Sequence, residues 1–274
     1  MNVLERSTKA YEIVGDNLEM LKVAINPQFK LFAEAGKMIY ARGAVDMESR
    51  MPEQDSAGGG IFGKLVGAGK RLMAGESLFF TYFTGVGEVG FAGDFPGRIL
   101  PIGMNGNTIL AQRDAFIAAI GNINVSIALQ KRLGGGLFGG EGFILEKLSG
   151  DGVLFIHAGG DLFRFDLAPG ETMRVETGSV VAWDESVTYD VQMMSSIKSA
   201  LFGGEGLFLT TLTGPGAVIV QTMTLAKLRR QIGHTSGKTE AGTSGLAQAT
   251  ALGGLAAGTG AILGSILGGG DDEG

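Results

Sequence analysis

The sequence has 274 residues, 45% of them hydrophobic and 18% charged, enough to bury one large all-β core or two small ones. Its formal net charge of −6 disfavours general nucleic-acid binding, which needs clustered Lys and Arg to neutralise phosphates. It contains no cysteine, which excludes a disulfide scaffold, a thiolate metal site and a cysteine nucleophile.

The first residues, MNVLERSTKAYEIVGDN, contain no apolar leader segment. Glu5, Glu12 and Asp16 come too early for a transit peptide, so a cytoplasmic protein is expected. Ala24–Ala41 (AINPQFKLFAEAGKMIYA) reads as a turn, a strand, a second turn and another apolar run. Gly75–Phe91 (GESLFFTYFTGVGEVGF) follows, with two apolar runs around a Gly-x-Gly. Both blocks then return. Met104–Ile120 and Asp166–Trp183 are counterparts of the first. Gly140–Ile156 (GEGFILEKLSGDGVLFI) and Gly204–Val220 (GEGLFLTTLTGPGAVIV) are counterparts of the second, at offsets of 65 and 64 residues.

In the third copy Leu207, Leu209 and Thr211 alternate with Phe208, Thr210 and Leu212. That is the period of a strand rather than a helix. The Gly-x-Gly can supply the positive φ of a tight turn, so each copy is expected to form a β-hairpin. The predicted fold class is all-β: three pseudo-repeats of about 65 residues, spanning about 10–93, 94–160 and 161–223. One such unit cannot bury its own apolar face. The three are expected to close into a β-prism or sandwich over residues 1–223, a triplicated β domain.

Residues 224–274 differ. TLAKLRRQIG predicts a short helix stopped at Gly233. HTSGKTEAGTSG reads as a linker. Leu246–Leu267 is Ala-, Gly- and Leu-rich without charge. It reads as a flexible or oligomer-packing tail, or alternatively as a weak membrane segment.

Nucleotide motifs fail on context. Gly85, Gly87 and Gly90 match the dinucleotide fingerprint, but no helix pattern follows and Gly90 is replaced by Phe155 and Ile219 in the other copies. Gly233 to Thr239 (GHTSGKT) is one residue short of a P-loop. His157 and His234 are the only histidines. No metal-ligand spacing surrounds them, and His157 reads as a packed strand residue. Glu76, Glu141 and Glu205 recur by repetition and read as structural. No catalytic, cofactor or metal residues are assigned.

Each Gly-Glu is preceded by a Gly-rich apolar tip with nearby bases. Phe62 stands with Lys64, Lys70 and Arg71. Phe138 stands with Lys131 and Arg132, and Phe202 with Lys198. Twelve residues separate Phe62 from Gly75, whereas one separates Phe138 from Gly140. Exposed, these tips could rest on an anionic membrane surface or dock a protein partner; buried, they would belong to a subunit interface or the core.

The strings AEAGKMIYARG, GESLFFTYFTG, FAGDFPGRILPI, GNTILAQRDAFIAA and VETGSVVAWDE resemble bacterial relatives of the mitochondrial biogenesis protein called altered inheritance of mitochondria twenty-four, over roughly residues 10–223. The resemblance implies a β fold grouped with the tryptophan RNA-binding attenuation protein, self-association as a trimer, and no established enzymatic activity. In eukaryotes it implies a link to mitochondrial inner-membrane organisation. The expectation is a non-enzymatic, homo-oligomeric scaffold or interaction protein without a cofactor, peripheral to a membrane if its tips engage one. The alternative is a small-ligand or nucleic-acid-binding module with a polar cleft holding Arg98, Arg113 or Arg164. An enzyme would have to draw on Glu34 with Asp46, or Asp184 with Glu185, whose spacing does not require acid–base work.

Overall fold

Apolar alternation and β-branched residues favour strands along most of this chain. The computed structural model describes residues 1–28, 30–50, 79–131, 143–193 and 208–236. Two units are distinguished, Met1–Ala226 and Lys227–Gly274. The described strands are β1 (Asn2–Val3), β2 (Tyr11–Val14), β3 (Met20–Ile25), β4 (Leu31–Glu34), β5 (Met38–Arg50), β6 (Phe80–Ala92), β7 (Gly97–Gln112), β8 (Phe116–Lys131), β9 (Phe143–Gly159), β10 (Leu162–Leu167), β11 (Thr172–Glu176), β12 (Val180–Asp184), β13 (Thr188–Met193), β14 (Phe208–Thr213) and β15 (Gly216–Gln221). Short 3-10 turns, Arg113–Ala115 and Thr177–Ser179, precede β8 and β12. Helix α1 (Leu225–Ser236) follows. It runs through Gly233 instead of stopping there: glycine inside a helix costs about 1 kcal/mol relative to alanine but keeps its backbone N–H.

Twelve strands form one sheet in the order β10-β15-β12-β7-β9-β8-β4-β6-β3-β2, with β1 beside β7 and β5 beside β6. A second sheet is ordered β11-β14-β13. The same pairing occurs at three places. Leu31 lies opposite Phe83, Ile109 opposite Leu148, and Met173 opposite Leu212. On the far side of those central strands, Met47, Val125 and Tyr189 face the same three residues.

Neighbouring sets join through equivalent ladders, Leu31–Ala33 of β4 with Ala118–Ile120 of β8, and Ile109–Ala111 of β7 with Ala182–Asp184 of β12. A third ladder of this kind would join β5 to β11, and among the described residues none does. The sheet is therefore open, which corrects the expected closed prism. The third set is itself interrupted. Pro215 has no N–H to give a ladder. There β14 ends at Thr213 and β15 begins at Gly216, leaving β11, β13 and β14 as a separate sheet.

The Gly-x-Gly motifs do not make hairpins. Gly85 and Gly87 lie inside β6, and Gly150 and Gly152 inside β9, both unbroken strands. The glycines serve close approach instead. A Cβ on Gly150 (φ 129°) would stand 2.0 Å from the Asn122 carbonyl oxygen, and one on Gly85 (φ 109°) 2.1 Å from that of Ala44. Gly150→Ala would meet both strained φ and a backbone clash, so it is expected to cost more than about 1 kcal/mol. Thermal unfolding checks this; an unchanged midpoint would refute it.

The core follows from the alternation. Phe208, Thr210 and Leu212 of β14 are buried while Leu209, Thr211 and Thr213 are half-buried. The buried Thr210 hydroxyl donates to Thr177 Oγ1 at 3.0 Å, which satisfies it. Phe32, Phe80 and Phe116, from three strands, stack and meet edge-on at 5.4–5.7 Å between ring centroids. Burying each such ring contributes about 1.5–3 kcal/mol.

Candidate functional site

Two polar features of the first unit stand out, an outward groove and a buried charge cluster. The groove, of about 530 Å³, lies over Tyr82, Phe83 and Thr84 of β6. The turn between β3 and β4 forms one wall with Pro27, Gln28 and Lys30. Strand β5 forms the other with Asp46, Met47, Glu48 and Arg50. The Arg50 guanidinium sits over the Tyr82 ring, 4.1 Å from its centroid, a cation–π contact that holds its charge at the groove. Two cations and two carboxylates thus line one groove.

The buried cluster forms where β4 turns into β5. Lys37, 6% exposed, donates from Nζ to Asp94 Oδ2 at 2.6 Å and lies 3.5 Å from Glu34 Oε2. The Glu34 contact is an ion pair without hydrogen-bond geometry, and Glu34 Oε2 makes no hydrogen bond. Glu146, on β9 and 1% exposed, also has an Oε2 without a hydrogen bond.

Burial pushes the Glu34 carboxyl up to about 7. Asp114 and Asp94 add to the rise, while Lys37 and Arg113 oppose it. Burial first, and Glu34 second, hold Glu146 well above the usual carboxylate range. Burial lowers the Lys37 ammonium, but Glu34 and Asp94 outweigh it and hold that group above its ordinary value. Burial and the Lys37 charge lower His157 to about 4, against a backbone hydrogen bond at Phe95. His157 packs edge-on against the Phe95 ring at 5.0 Å, as a strand residue should. Among the described residues no group of three or more His, Asp and Glu is placed to hold a metal ion.

The cluster sets a pH dependence. Glu34 and Glu146 have folded pKa values above their ordinary 4.5, so their contribution is complete below that pH and is lost as pH rises through the folded values. His157 is depressed from 6.5, so its contribution is present above 6.5 and lost as pH falls toward 4. Above pH 6.5 only the carboxylates act in this set, and stability is expected to fall from pH 6.5 toward pH 8.5. Glu146→Gln should flatten that slope. Urea unfolding at pH 6.5 and 8.5 checks it; equal slopes for both proteins would refute it.

The residues singled out from the sequence fall as follows. Arg98 is held by Glu19, Asp16 and Asp161. Arg164 pairs with Asp166 and donates to the Met1 carbonyl. Arg113 stands beside the Glu34–Glu146 pair, whose pKa values it lowers. None of the three lines the groove. Glu34 and Asp46 lie on opposite sides of β6, opposite Phe80 and Thr84. Asp184 accepts from the Met1 ammonium and the Ala217 N–H, while Glu185 pairs with Lys147.

Gly85, Gly87 and Gly90 lie inside β6, where no helix N-terminus can meet a phosphate. The tip residues Phe62, Lys64, Lys70, Arg71, Arg132, Phe138, Lys198 and Phe202 lie outside the described residues, as do Glu76, Glu141, Glu205 and Leu246–Leu267. Lys131 ends β8. No helix among the described residues is long and apolar enough to cross a membrane. Sequence reasoning missed Glu146 and Lys37. The available signal was a lone Glu in the apolar run FILEKL.

A family model described as Mitochondrial biogenesis AIM24 matches residues 11–223. A protein of Streptococcus pyogenes serotype M6, named only as uncharacterized, is 29% identical over 199 residues, covering 71% of this chain and 77% of that protein. An X-ray structure of a Streptococcus pyogenes protein aligns with a TM-score of 0.64 at 23% identity, covering 82% of this chain and 98% of the other. That likeness shows the fold alone.

Proposed function

The chain belongs to the Mitochondrial biogenesis AIM24 family, and from that premise we propose that it is a non-enzymatic scaffold that works by self-association. The observation carrying this reading is the open sheet. Strand β5 runs for 13 residues, is exposed or half-buried throughout, and has β6 as its one described neighbour. Met38, Ile39 and Met47 are exposed along it. A long bare edge with apolar side chains is a template for pairing with another chain.

Of the charged residues the sequence offered for chemistry, Glu34, Arg98, Arg164, Asp184 and Glu185 are engaged in internal ion pairs, which fits a structural role. The three-unit reading is supported by the recurrent register, and one chain then supplies three related edges. Sedimentation equilibrium of the full chain over a hundredfold concentration range tests the proposal. Mass above one chain is expected, and a monomer throughout would overturn it. Membrane contact through Phe62, Phe138 and Phe202 rests on sequence alone and is read by co-sedimentation with anionic vesicles.

The groove favours a second reading, binding of a small zwitterionic ligand between Lys30 and Arg50 on one side of the charge balance and Asp46 and Glu48 on the other. A thermal-shift screen of amino acids and nucleotides, with Arg50→Ala as control, decides it. A shift lost in the variant supports the reading, and no shift in any condition removes it.

A further inference from the structure

Strand β10 has a neighbour, β15, on one side only among the described residues. Its counterparts elsewhere in the sheet are flanked on both sides. The ladders Ile25 opposite Gly87, Met104 opposite Gly152 and Leu167 opposite Gly216 define those counterparts as β3, the first half of β7, and β10. Strand β2 covers β3, placing Tyr11 opposite Val23. Strand β1 covers β7, placing Val3 opposite Ile102.

Counting back along the strands makes Val23, Ile102 and Phe165 equivalent. Val23 and Ile102 are 1% and 0% exposed, but Phe165 is 40% exposed and Phe163, two residues earlier, is 52%. The position that N-terminal strands of the chain cover twice has no such strand among the described residues at its third occurrence, and there it carries two phenylalanines. Lysine or proline would blunt such an edge; β10 has neither.

We infer that a second copy of this chain covers that edge, β10 pairing antiparallel with β10 about a two-fold axis through Phe165. The inference rests on the self-association reading and adds a second surface, β10, to the β5 edge. Two identical strands side by side about a two-fold must run antiparallel. In this register the sequence Leu162-Phe163-Arg164-Phe165-Asp166-Leu167 complements itself. Arg164 of each copy meets Asp166 of the other, Phe165 meets Phe165, and Phe163 meets Leu167. Arg164 and Asp166 pair within one copy at 2.6 Å, and Arg164 also donates to the Met1 carbonyl, yet their side chains stay 39% and 67% exposed, so the facing strand can share this pair. Opposite-charge and aromatic cross-strand pairs are favourable, and like charges directly opposite are unfavourable.

Two single variants of the full chain test this, Arg164→Asp and Asp166→Arg. Each places like charges opposite each other twice, and each should raise the dissociation constant of self-association by about tenfold or more. An equimolar mixture should associate again as a mixed pair, because every Asp then meets an Arg. Far-UV circular dichroism confirms that both variants fold, and restored association in the mixture cannot come from misfolding. Phe165→Glu should also dissociate the pair. If the natural chain associates and all variants keep its mass, the β10 assignment is overturned while the scaffold reading stands. If the natural chain is monomeric throughout, both fall.

Discussion

Replacing Trp183 by alanine is expected to lower the unfolding free energy by about 3–5 kcal/mol. Trp183 is 0% exposed and lies at the joint of three strands. On β12 it faces Val218 of β15 on one side and Leu110 of β7 on the other. Its ring meets Tyr189 edge-on at 5.2 Å. Truncation would remove the largest side chain of that cluster and leave a cavity that the strands on either side, fixed by their ladders, cannot fill by collapse. The indole Nε1 has no hydrogen-bond partner. Trp183→Phe therefore deletes a buried orphan donor along with some volume, and should cost well under half as much. Trp183 is the single tryptophan, so urea unfolding of the variants must be followed by far-UV circular dichroism. A loss under about 1 kcal/mol in the alanine variant would show that β12 is not held by this side chain.

The second large effect is expected at Glu19. Its side chain is fully buried and gathers three donors. Arg6 approaches at 2.8 Å, Arg98 at 3.1 Å, and the Ile99 backbone N–H donates at 2.6 Å. These bonds tie the start of β3 to the first residues of the chain and to β7. Glu19→Ala leaves a buried N–H without its acceptor and two guanidinium groups without their shared anion. Removing one member of a buried pair costs about 3–5 kcal/mol. The lower end applies here, because both arginines remain partly solvated. Glu19→Gln keeps an acceptor for Ile99 and should fall between alanine and the natural chain. Denaturant unfolding of the three proteins gives the ranking; equal stability of all three would contradict it.

Much of the strand content could be read directly from the residues. Leu207 to Leu212 alternate strictly, and β14 buries alternate residues over the part described. The offsets between Gly85, Gly150 and Gly214 correspond to real equivalence of register, since Phe83, Leu148 and Leu212 each sit between matching partners. What the Gly-x-Gly motifs do was not legible. A glycine with positive φ serves a turn or a close approach equally well, and only the facing backbone decides between them. Here the Ala44 and Asn122 carbonyls do.

Glu146 was hidden for a related reason. Phe143, Ile144, Leu145 and Glu146 are all buried, so β9 is covered on both faces and offers no alternation against which an inward charge would stand out. The open edge at β10 was invisible to pattern reading, because Phe163 and Phe165 alternate as core residues would. Among the described residues no third strand covers them as β1 and β2 cover their counterparts.

Hydrogen–deuterium exchange of the full chain at two concentrations, far below and far above its association midpoint, tests the claim that bare sheet edges are the working surface. The account predicts that amides of β10 and β5 exchange quickly in dilute protein and slow markedly in concentrated protein, while those of β9, flanked on both sides, stay slow in both. Identical exchange of β10 and β5 at the two concentrations would contradict it.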